Sequence, residues 1–253
     1  MKANKDSTAH ILKISIILSL VCATLVSLAA VGLKPIQDAN AAKEKKLNIL
    51  VAAGVYEEGK SIDELFDKNI VASAIELSTG EVTDAIDAKT FNEVKAAKDP
   101  KTGSVLKDDP AKIGSVAKYA TVYQLKKGDK VERVILPIRG YGLWGTMYGF
   151  LAVNTDGKTI EGLTFYDQKE TPGLGAEILN PAWQAKWVGK KPYSAGDQPA
   201  VRLVKSISAN PDVAQRQIDS LAGATLTSRG VEKTINFWLG DKGYGPYLKR
   251  LAQ

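Results

Sequence analysis

The sequence predicts an α+β protein, made of a single N-terminal transmembrane helix and one globular domain in which helices flank an antiparallel sheet. Three observations favour this fold class. Residues 14–33 carry no charge and are mostly apolar, the centre of the chain alternates β-type segments with turn sequences, and an apolar helical stripe lies near the C-terminus. About 220 residues remain after the apolar segment, which is enough for one large hydrophobic core.

The uncharged segment is long enough to cross a membrane as a helix. Residues 14–33 would extend about 30 Å, which is the thickness of a bilayer core. A cleaved signal peptide is the alternative, since alanine-rich runs follow, but such peptides have apolar cores of roughly 7–15 residues. We therefore expect a retained anchor, preceded by an N-terminal segment of residues 1–13. The flanking lysines give no orientation, because three precede the segment and four follow it: Lys2, Lys5, Lys13, Lys34, Lys43, Lys45 and Lys46.

Beyond the anchor, the chain becomes polar before it becomes apolar again. Residues 34–46 are charged and alanine-rich and predict a tether, and we expect the globular domain over residues 47–253. Ser61 and Glu64 have the spacing of a capping box, which predicts a short helix. Residues 98–110 are rich in lysine, aspartate, proline and glycine, so we expect an exposed excursion there.

Two β-hairpins are predicted in the centre of the domain. In both, β-branched and aromatic residues recur on either side of a turn sequence. The second has the stronger turn, because its Asp-Gly pair supplies the positive φ angle that tight hairpins need. The predicted strands are 119–125 and 131–137, joined by a turn at 127–130, and 148–153 and 159–166, joined by a turn at 154–157.

A helix and a strand are predicted after the hairpins. Asn180 followed by Pro181 is a typical helix start, and Gly189 is expected to close this helix. Trp183 and Trp187 then fall on one helical face, and we assign both to the core. Residues 201–207 are the strand candidate.

The last long helix is expected to start near Thr227 or Ser228 and to end at Gly240. Its apolar residues recur at i, i+4, i+7 and i+8, which places them on one buried face. They are Val231, Ile235, Trp238 and Leu239.

The composition excludes many catalytic sites. The chain has one histidine, His10, and one cysteine, Cys22, and both lie in or beside the apolar segment. A Ser-His-Asp triad, a Cys-His nucleophile, a His or Cys metal site and an intrachain disulfide therefore lack their residues. The net charge of +6 comes from lysines and arginines scattered among acids, so we expect a solvated surface and no nucleic-acid partner. Any redox chemistry would need a bound cofactor.

The segment from Asp219 to Thr225, Asp-Ser-Leu-Ala-Gly-Ala-Thr, is the most informative in the chain. Small residues before Thr225 would let a bulky group approach the backbone, and a helix start just after it favours an anion. A phosphate on the Thr225 oxygen would be stabilised by the free N–H groups there and by Arg229. From the residues alone, an ordinary polar loop that caps a helix is the favoured interpretation.

This segment, with the Leu-Thr-Ser that follows, resembles the flavinylation motif of bacterial FMN-binding domains. In that family FMN is joined through its phosphate to the threonine after Gly-Ala, by a separate FMN transferase. The resemblance implies that Thr225 carries the FMN. It also assigns Gly223, Ala224, Thr227 and Ser228 to the cofactor-binding motif. The sequence departs from the motif at Ala222, where a serine or threonine is usual.

Two further segments support the resemblance. Glu-Thr-Pro-Gly-Leu-Gly, residues 170–175, is similar to the loop of this family that packs against the flavin, and it contributes Glu170, Thr171, Gly173, Leu174 and Gly175. Gly173 and Gly175 permit close backbone approach and positive φ angles. Residues 140–149 resemble the Gly/aromatic segment of one subfamily, the NqrC subunits of the Na⁺-translocating NADH:quinone reductases.

Two side chains in these segments have alternative interpretations. Trp144 is either a surface for ring stacking or part of the core. Glu170 either hydrogen-bonds the flavin ring or orders its own loop.

The resemblance implies a membrane-anchored flavoprotein electron-transfer subunit. Its globular domain would lie on the periplasmic side of the bacterial inner membrane, within a complex of six subunits. NADH oxidation, sodium translocation and ubiquinone reduction would belong to the other subunits, and this chain would supply neither catalytic side chains nor metal ligands. Two alternatives remain: the RnfG subunit of the related ferredoxin–NAD electron-transport (Rnf) complex, and a non-redox, membrane-tethered binding or assembly module whose Gly-Ala-Thr loop is bare.

Overall fold

A computed structural model describes residues 7–128 and 130–253. Lys2, Lys5 and the rest of residues 1–6 of the predicted N-terminal segment lie outside the described residues, as does Asp129 of the predicted turn at 127–130. The chain divides into two compact units, Met1–Glu44 and Lys45–Gln253.

The regular elements alternate along the chain, with most strands in the middle. The helices are α1 (Thr8–Ala52), α2 (Ile62–Asn69), α3 (Glu93–Lys98), α4 (Pro181–Gln184), α5 (Pro211–Ala214), α6 (Thr225–Leu239) and α7 (Gly245–Leu251). The strands are β1 (Ile70–Glu76), β2 (Gly103–Val105), β3 (Ser115–Ala117), β4 (Tyr119–Lys127), β5 (Lys130–Tyr141), β6 (Thr146–Asn154), β7 (Ile160–Asp167), β8 (Arg202–Val204) and β9 (Gln217–Asp219). Two 3-10 helices cover Gly175–Leu179 and Ala185–Trp187.

The first unit consists of the part of α1 up to Glu44. Its apolar side chains are exposed, as Val26 at 69% and Val31 at 74% illustrate. The helix is long and apolar enough to cross a membrane, by length and composition. The residues predicted as a tether, 34–46, are helical throughout. Their alanine, lysine, glutamate and glutamine residues favour helix, and Pro35 is the single proline inside it.

The second unit is built on a five-stranded sheet in the order β1-β4-β5-β6-β7. All neighbouring strands are antiparallel, which confirms the predicted fold class. Both predicted hairpins form: Lys127 pairs with Lys130 at the tip of the first, and Val153 pairs with Ile160 near the tip of the second. Gly157 has the positive φ of 68° that its turn sequence predicts.

Both faces of this sheet are covered, so the unit has two hydrophobic clusters. Successive residues of a strand point to opposite faces, and Val134 and Ile135 accordingly belong to different clusters. On one face α6 and α7 pack against the sheet, with Trp238 and Tyr244 stacked at 5.1 Å between ring centroids. On the other face lie α2 and the end of α1, which contributes the buried Ile49, Leu50, Ala52 and Ala53.

The short helix predicted after Ser61 forms as α2, and the Ser61 side chain caps it by accepting a hydrogen bond from the Glu64 N–H. Residues 98–110 are mostly exposed, as expected, although they contain the short β2. The helix predicted after Asn180 is shorter than expected, because α4 gives way to a 3-10 turn that ends at Trp187. Trp183 and Trp187 are buried and meet edge to face, as predicted for core residues.

Two further expectations need correction. The strand predicted at 201–207 is only three residues long, and it pairs in parallel with β9 outside the main sheet. The last helix begins at Thr225, earlier than Thr227 or Ser228, because the Ser228 N–H already donates to the Ala224 carbonyl at 2.9 Å. A helix start without a capping side chain carries no sequence signature. The stripe from Val231 to Leu239 is buried and Gly240 ends the helix, as predicted.

Candidate functional site

The three sequence motifs lie close together in the second unit, at one end of the strands β5, β6 and β7. The first occupies the end of β5 and its turn into β6, and the second follows β7. Tyr141 pairs with Thr146, and Tyr148 pairs with Asp167, so the end of β5 and the end of β7 both lie beside the start of β6. The two loops therefore leave the sheet at the same end of the strands. The third motif is the start of α6, which packs against β5.

A single carboxylate joins all three motifs. Glu170 is 5% exposed, and its carboxylate accepts hydrogen bonds from the backbone N–H groups of Leu143 at 3.0 Å and Trp144 at 2.9 Å. The Thr227 hydroxyl donates to its other oxygen. Three donors compensate for the water that the buried charge has lost. The structure therefore gives Glu170 protein partners on both oxygens, as the loop-ordering interpretation requires.

Close packing around this carboxylate explains Gly175. A Cβ at this position would lie 2.6 Å from the Thr227 hydroxyl oxygen and 2.8 Å from a Glu170 carboxylate oxygen. Any larger residue would push the loop away from α6. Gly175 has no positive φ angle, whereas Gly173 has φ of 73° with open space around it, so each glycine meets one of the two expectations stated for this pair.

Thr225 is exposed and is the first residue of α6. The preceding Ala224 has no side-chain cap. Within the described residues, the N–H groups of Thr225, Leu226 and Thr227 have no hydrogen-bond acceptor, since Ser228 is the first to bond, to Ala224. These N–H groups form the positive end of a 15-residue helix. Such a terminus binds phosphate without needing a cationic side chain.

Exposed apolar side chains surround the start of the helix. Trp144 is 62% exposed, which excludes the core interpretation of its indole ring. Leu174 lies next to Gly223, where a Cβ would be 2.9 Å from a Leu174 methyl carbon. Gly223 also has φ of 71°, which only glycine adopts without strain. The other exposed apolar residues of these segments, Leu143 and Leu226, were not expected from the sequence.

The predicted site residues thus fall into two layers. The exposed layer comprises Trp144, Thr171, Gly173, Leu174, Gly223 and Thr225. The buried layer comprises Glu170, Gly175, Ala224, Thr227 and Ser228. In the buried layer the Ser228 hydroxyl accepts a hydrogen bond from the Leu221 N–H at 3.0 Å, and this bond fixes the chain just before the Gly-Ala-Thr turn. Ala222, the departure from the motif, is exposed.

Asp219, the first residue of the Asp219–Thr225 motif, is held by the helical segment of Trp183 and Lys186. Its carboxylate pairs with Lys186 at 2.8 Å, and its carbonyl accepts a hydrogen bond from the Trp183 indole at 2.9 Å. Sequence reasoning missed this contact, since 33 residues separate the ion pair along the chain. The predicted core tryptophan therefore also anchors the motif.

Free N–H donors for a phosphate, beside an exposed apolar surface for a flat ring, are the features expected of a flavin mononucleotide-binding domain. The model of the FMN-binding domain family matches residues 142–240, which include every motif residue from Gly142 to Ser228. This match confirms FMN as the cofactor. Among the described residues, no group of three or more His, Cys, Asp or Glu side chains has the arrangement of a metal site.

Full-length relatives define the family more closely. The chain is 46% identical over 253 residues to the NqrC subunit of the Na⁺-translocating NADH-quinone reductase of Vibrio anguillarum, which covers 99% of this chain and 98% of that one. It is 43% identical over 257 residues to the NqrC protein of Pseudomonas aeruginosa, covering 99% and 98%. The crystal structure of NqrC from Shewanella oneidensis superimposes with a TM-score of 0.78 and 34% identity, over 84% of this chain and 98% of that one.

The chain therefore belongs to the NqrC family of the Na⁺-translocating NADH-quinone reductases. This confirms the resemblance given by the three motifs and replaces the RnfG alternative.

Proposed function

We propose that this protein is the membrane-anchored, flavin-carrying electron-transfer subunit of a Na⁺-translocating NADH:ubiquinone reductase, with FMN bound covalently through a phosphoester to Thr225. The observation that carries the proposal is the start of α6, where an exposed threonine hydroxyl adjoins three backbone N–H groups without acceptors in the described chain. FMN, when bound, supplies redox chemistry in one-electron steps.

The residues around Thr225 fit both ends of FMN. The N–H groups of residues 225–227 would hold the phosphate, and the exposed Arg229, one turn further along α6, adds a cation on the same helix face. Trp144 and Leu174 would contact the ring. Glu170 and Thr227 would position these groups without touching the ring, since they are buried and bonded to each other.

The threonine needs an external catalyst for this bond. A hydroxyl is a weak nucleophile unless a base activates it, and His10, the sole histidine, lies in the first unit. We therefore include an FMN transferase among the partners. The small residues Gly223 and Ala224 leave the acceptor hydroxyl accessible to such an enzyme.

The exposed apolar surface of α1 supports a single pass through the bacterial inner membrane. We propose a transmembrane segment at residues 14–33, a helical tether at 34–46 and an FMN-binding domain at 47–253, on the periplasmic side. The other members of a complex of six subunits would carry out NADH oxidation, sodium translocation and ubiquinone reduction. A covalent bond suits a cofactor on the periplasmic side, because a dissociated FMN would be lost from the cell.

The test is the mass and fluorescence of the denatured chain after maturation in its native host. We expect the wild-type chain to keep yellow-green fluorescence in a denaturing gel and to gain the mass of one FMN less one water. Thr225→Ala should lose both properties and still fold. Thr79→Ala, which removes an exposed hydroxyl outside the motif, should keep both. Wild-type protein without the label would support a bare, non-redox module, and a label that persists in Thr225→Ala would assign the bond elsewhere.

A further inference from the structure

A second cleft lies on the sheet face that α2 covers, and Trp238 near the C-terminal end of α6 also reaches it. Its volume is about 330 Å³, and residues 89–94 form one wall. Its floor is made of side chains from three adjacent strands, with Arg139 on β5, Tyr148 on β6 and Tyr166 on β7. Arg139 and Tyr148 are direct partners across the strands, so they point to the same face. Trp238 lies 13 residues along α6 from Thr225, which is about 20 Å of helix, so this cleft is distinct from the surface around Thr225.

The cations of the cleft have no ion-pair partner in the described part of the chain. The Arg139 guanidinium donates one hydrogen bond, from Nη2 to the Ser115 carbonyl at 2.7 Å, and forms no salt bridge there. The Lys45 ammonium lies 5.5 Å from the centre of the Tyr123 ring. Lys89 is exposed at the entrance. The remaining N–H groups of Arg139 are therefore available for a planar, two-point contact with an oxyanion.

The one carboxylate in the cleft does not neutralise these cations. Glu93 uses its Oε1 atom to accept a hydrogen bond from the Thr121 N–H at 2.6 Å. Burial raises the pKa of Glu93 to about 7, although Lys45 and Arg139 favour its charged form. A carboxylate in tight contact with either cation would have a lowered pKa instead. The cleft therefore keeps an excess of positive charge.

Hydroxyl donors complete the lining. The Tyr148 and Tyr166 hydroxyls have no hydrogen-bond partner among residues 7–128 and 130–253, and neither oxygen is sealed from solvent. The Tyr166 ring stacks on the fully buried Phe150 at 5.2 Å between centroids, so the Tyr166 ring is held in place as an apolar surface beside the polar groups. Donors thus come from an arginine, a lysine and two tyrosines, and they outnumber what the two oxygens of a carboxylate would accept. A phosphate group, with three or more acceptor oxygens, matches them better.

We propose that this cleft binds a phosphate-bearing ligand, with its phosphate between Arg139, Lys45 and the Tyr166 hydroxyl and its apolar part against the Tyr166 ring. The volume is at the low end of that for small-molecule sites, which favours a compact ligand. A free phosphate ester and the headgroup of an anionic phospholipid share this chemistry. Lys45 directly follows the unit that contains the apolar helix, so a lipid headgroup is tested beside a free phosphate ester.

The test uses isothermal titration of the full-length flavin-labelled chain in a neutral detergent, because the label occupies the site at Thr225. Phenyl phosphate, inorganic phosphate and dihexanoyl phosphatidylglycerol serve as the three probes. We expect phenyl phosphate to bind more tightly than inorganic phosphate if the ligand is a free ester. Tighter binding of the phosphatidylglycerol would identify a lipid headgroup. Absence of binding by all three probes would overturn the proposal.

Three variants of cleft residues test whether the probes bind in this cleft. Arg139→Gln should weaken the preferred probe by about tenfold or more, because a charge-assisted contact is lost. Tyr166→Phe should weaken it by about fivefold, since it removes one hydroxyl and keeps the ring. Lys45→Gln is a second charge variant that tests the site even if Arg139→Gln misfolds. Lys45 is exposed, and its replacement keeps the hydrogen bond between Arg139 and the Ser115 carbonyl. Lys205→Gln, an equal charge change at an exposed site outside the cleft, is the matched control. Affinity unchanged in all three cleft variants would refute the site.

Discussion

Glu170 is buried and Glu93 is partly buried, and their surroundings differ. Glu170 receives two backbone N–H groups from residues 27 and 26 positions away in sequence and one hydroxyl from a residue 57 positions away. Glu93 receives a single N–H, from Thr121. The number of donors decides how well a buried carboxylate tolerates its charge. Glu170 holds three segments of the site together, and Glu93, whose pKa burial raises to about 7, can change its protonation within the physiological range.

We predict that Glu93 makes the stability of the protein depend on pH. Its pKa is raised from 4.5 to about 7, mainly by burial. A raised folded-state pKa means that its contribution is fully present below pH 4.5 and is lost as the pH rises through about 7. The free energy of unfolding should therefore fall across this window. The change attributable to Glu93 should be about 1–2 kcal/mol, after a discount for its partial exposure.

Urea unfolding of wild type and Glu93→Gln at several pH values checks this prediction. Glutamine keeps an oxygen for the Thr121 N–H but cannot ionise, so the difference between the two proteins isolates this one group. The control is Glu64→Gln, an acid on the exposed part of α2. Parallel pH profiles for wild type and Glu93→Gln would contradict the prediction.

Among the elements, α6 does the most to build the site. Its start provides the free N–H groups, its first turn contributes Thr227 and Ser228, and its middle packs on the sheet. Close approach to the loop after β5 is possible because residue 230 is glycine. A Cβ there would lie 2.5 Å from the Tyr141 carbonyl oxygen and 3.0 Å from the Gly142 Cα.

We predict that Gly230→Ala destabilises the protein, although alanine is normally the better helix former. The propensity gain of about 1 kcal/mol is outweighed by a steric cost of about 1–3 kcal/mol against backbone atoms that cannot rotate away. Thermal unfolding should show a lower midpoint for this variant. Lys233→Ala, an exposed position of the same helix, should leave the midpoint unchanged or slightly higher. A more stable Gly230→Ala protein would show that the loop after β5 yields easily.

The elements also show which features can be predicted from sequence. The hairpins are predictable because their period-two pattern and their turns are local. The start of α6 is not, because its first donors are left free for a ligand and no capping residue marks it. The motif residues around Thr225 could be identified by resemblance, but the contact between Glu170 and Thr227 depends on how distant segments fold together. The cleft at Arg139 and Tyr148 gave no local pattern at all.

At the scale of the whole molecule, the two proposed sites depend on different parts of the second unit. The proposed flavin surface depends on the start of α6 and the loops after β5 and β7, whereas the cleft depends mainly on residues 89–94 and the sheet face opposite α6. That second face is closed partly by the last two turns of α1, which belong to the second unit. A single helix therefore contributes membrane-compatible surface in one unit and core side chains in the other.

The division into two units predicts which N-terminal truncation leaves a protein that still folds. A protein that begins at Lys45 keeps Ile49, Leu50, Ala52 and Ala53, all of which are buried in the second unit. It should fold as a monomer in detergent-free buffer, since it lacks the exposed apolar residues of α1. A protein that begins at Gly54 loses all four, and it also loses the Ala53 carbonyl that accepts a hydrogen bond from Arg133 at 2.9 Å.

Removal of Ile49 and Leu50 alone should cost about 4 kcal/mol or more, because each large buried aliphatic side chain contributes about 2–5 kcal/mol. That loss is comparable to the whole stability of many domains. We therefore expect the chain from Lys45 to show a cooperative thermal transition and native near-ultraviolet circular dichroism, and the chain from Gly54 to show neither or to melt far lower. Equal stability of the two proteins would mean that the end of α1 packs on the sheet without supporting it.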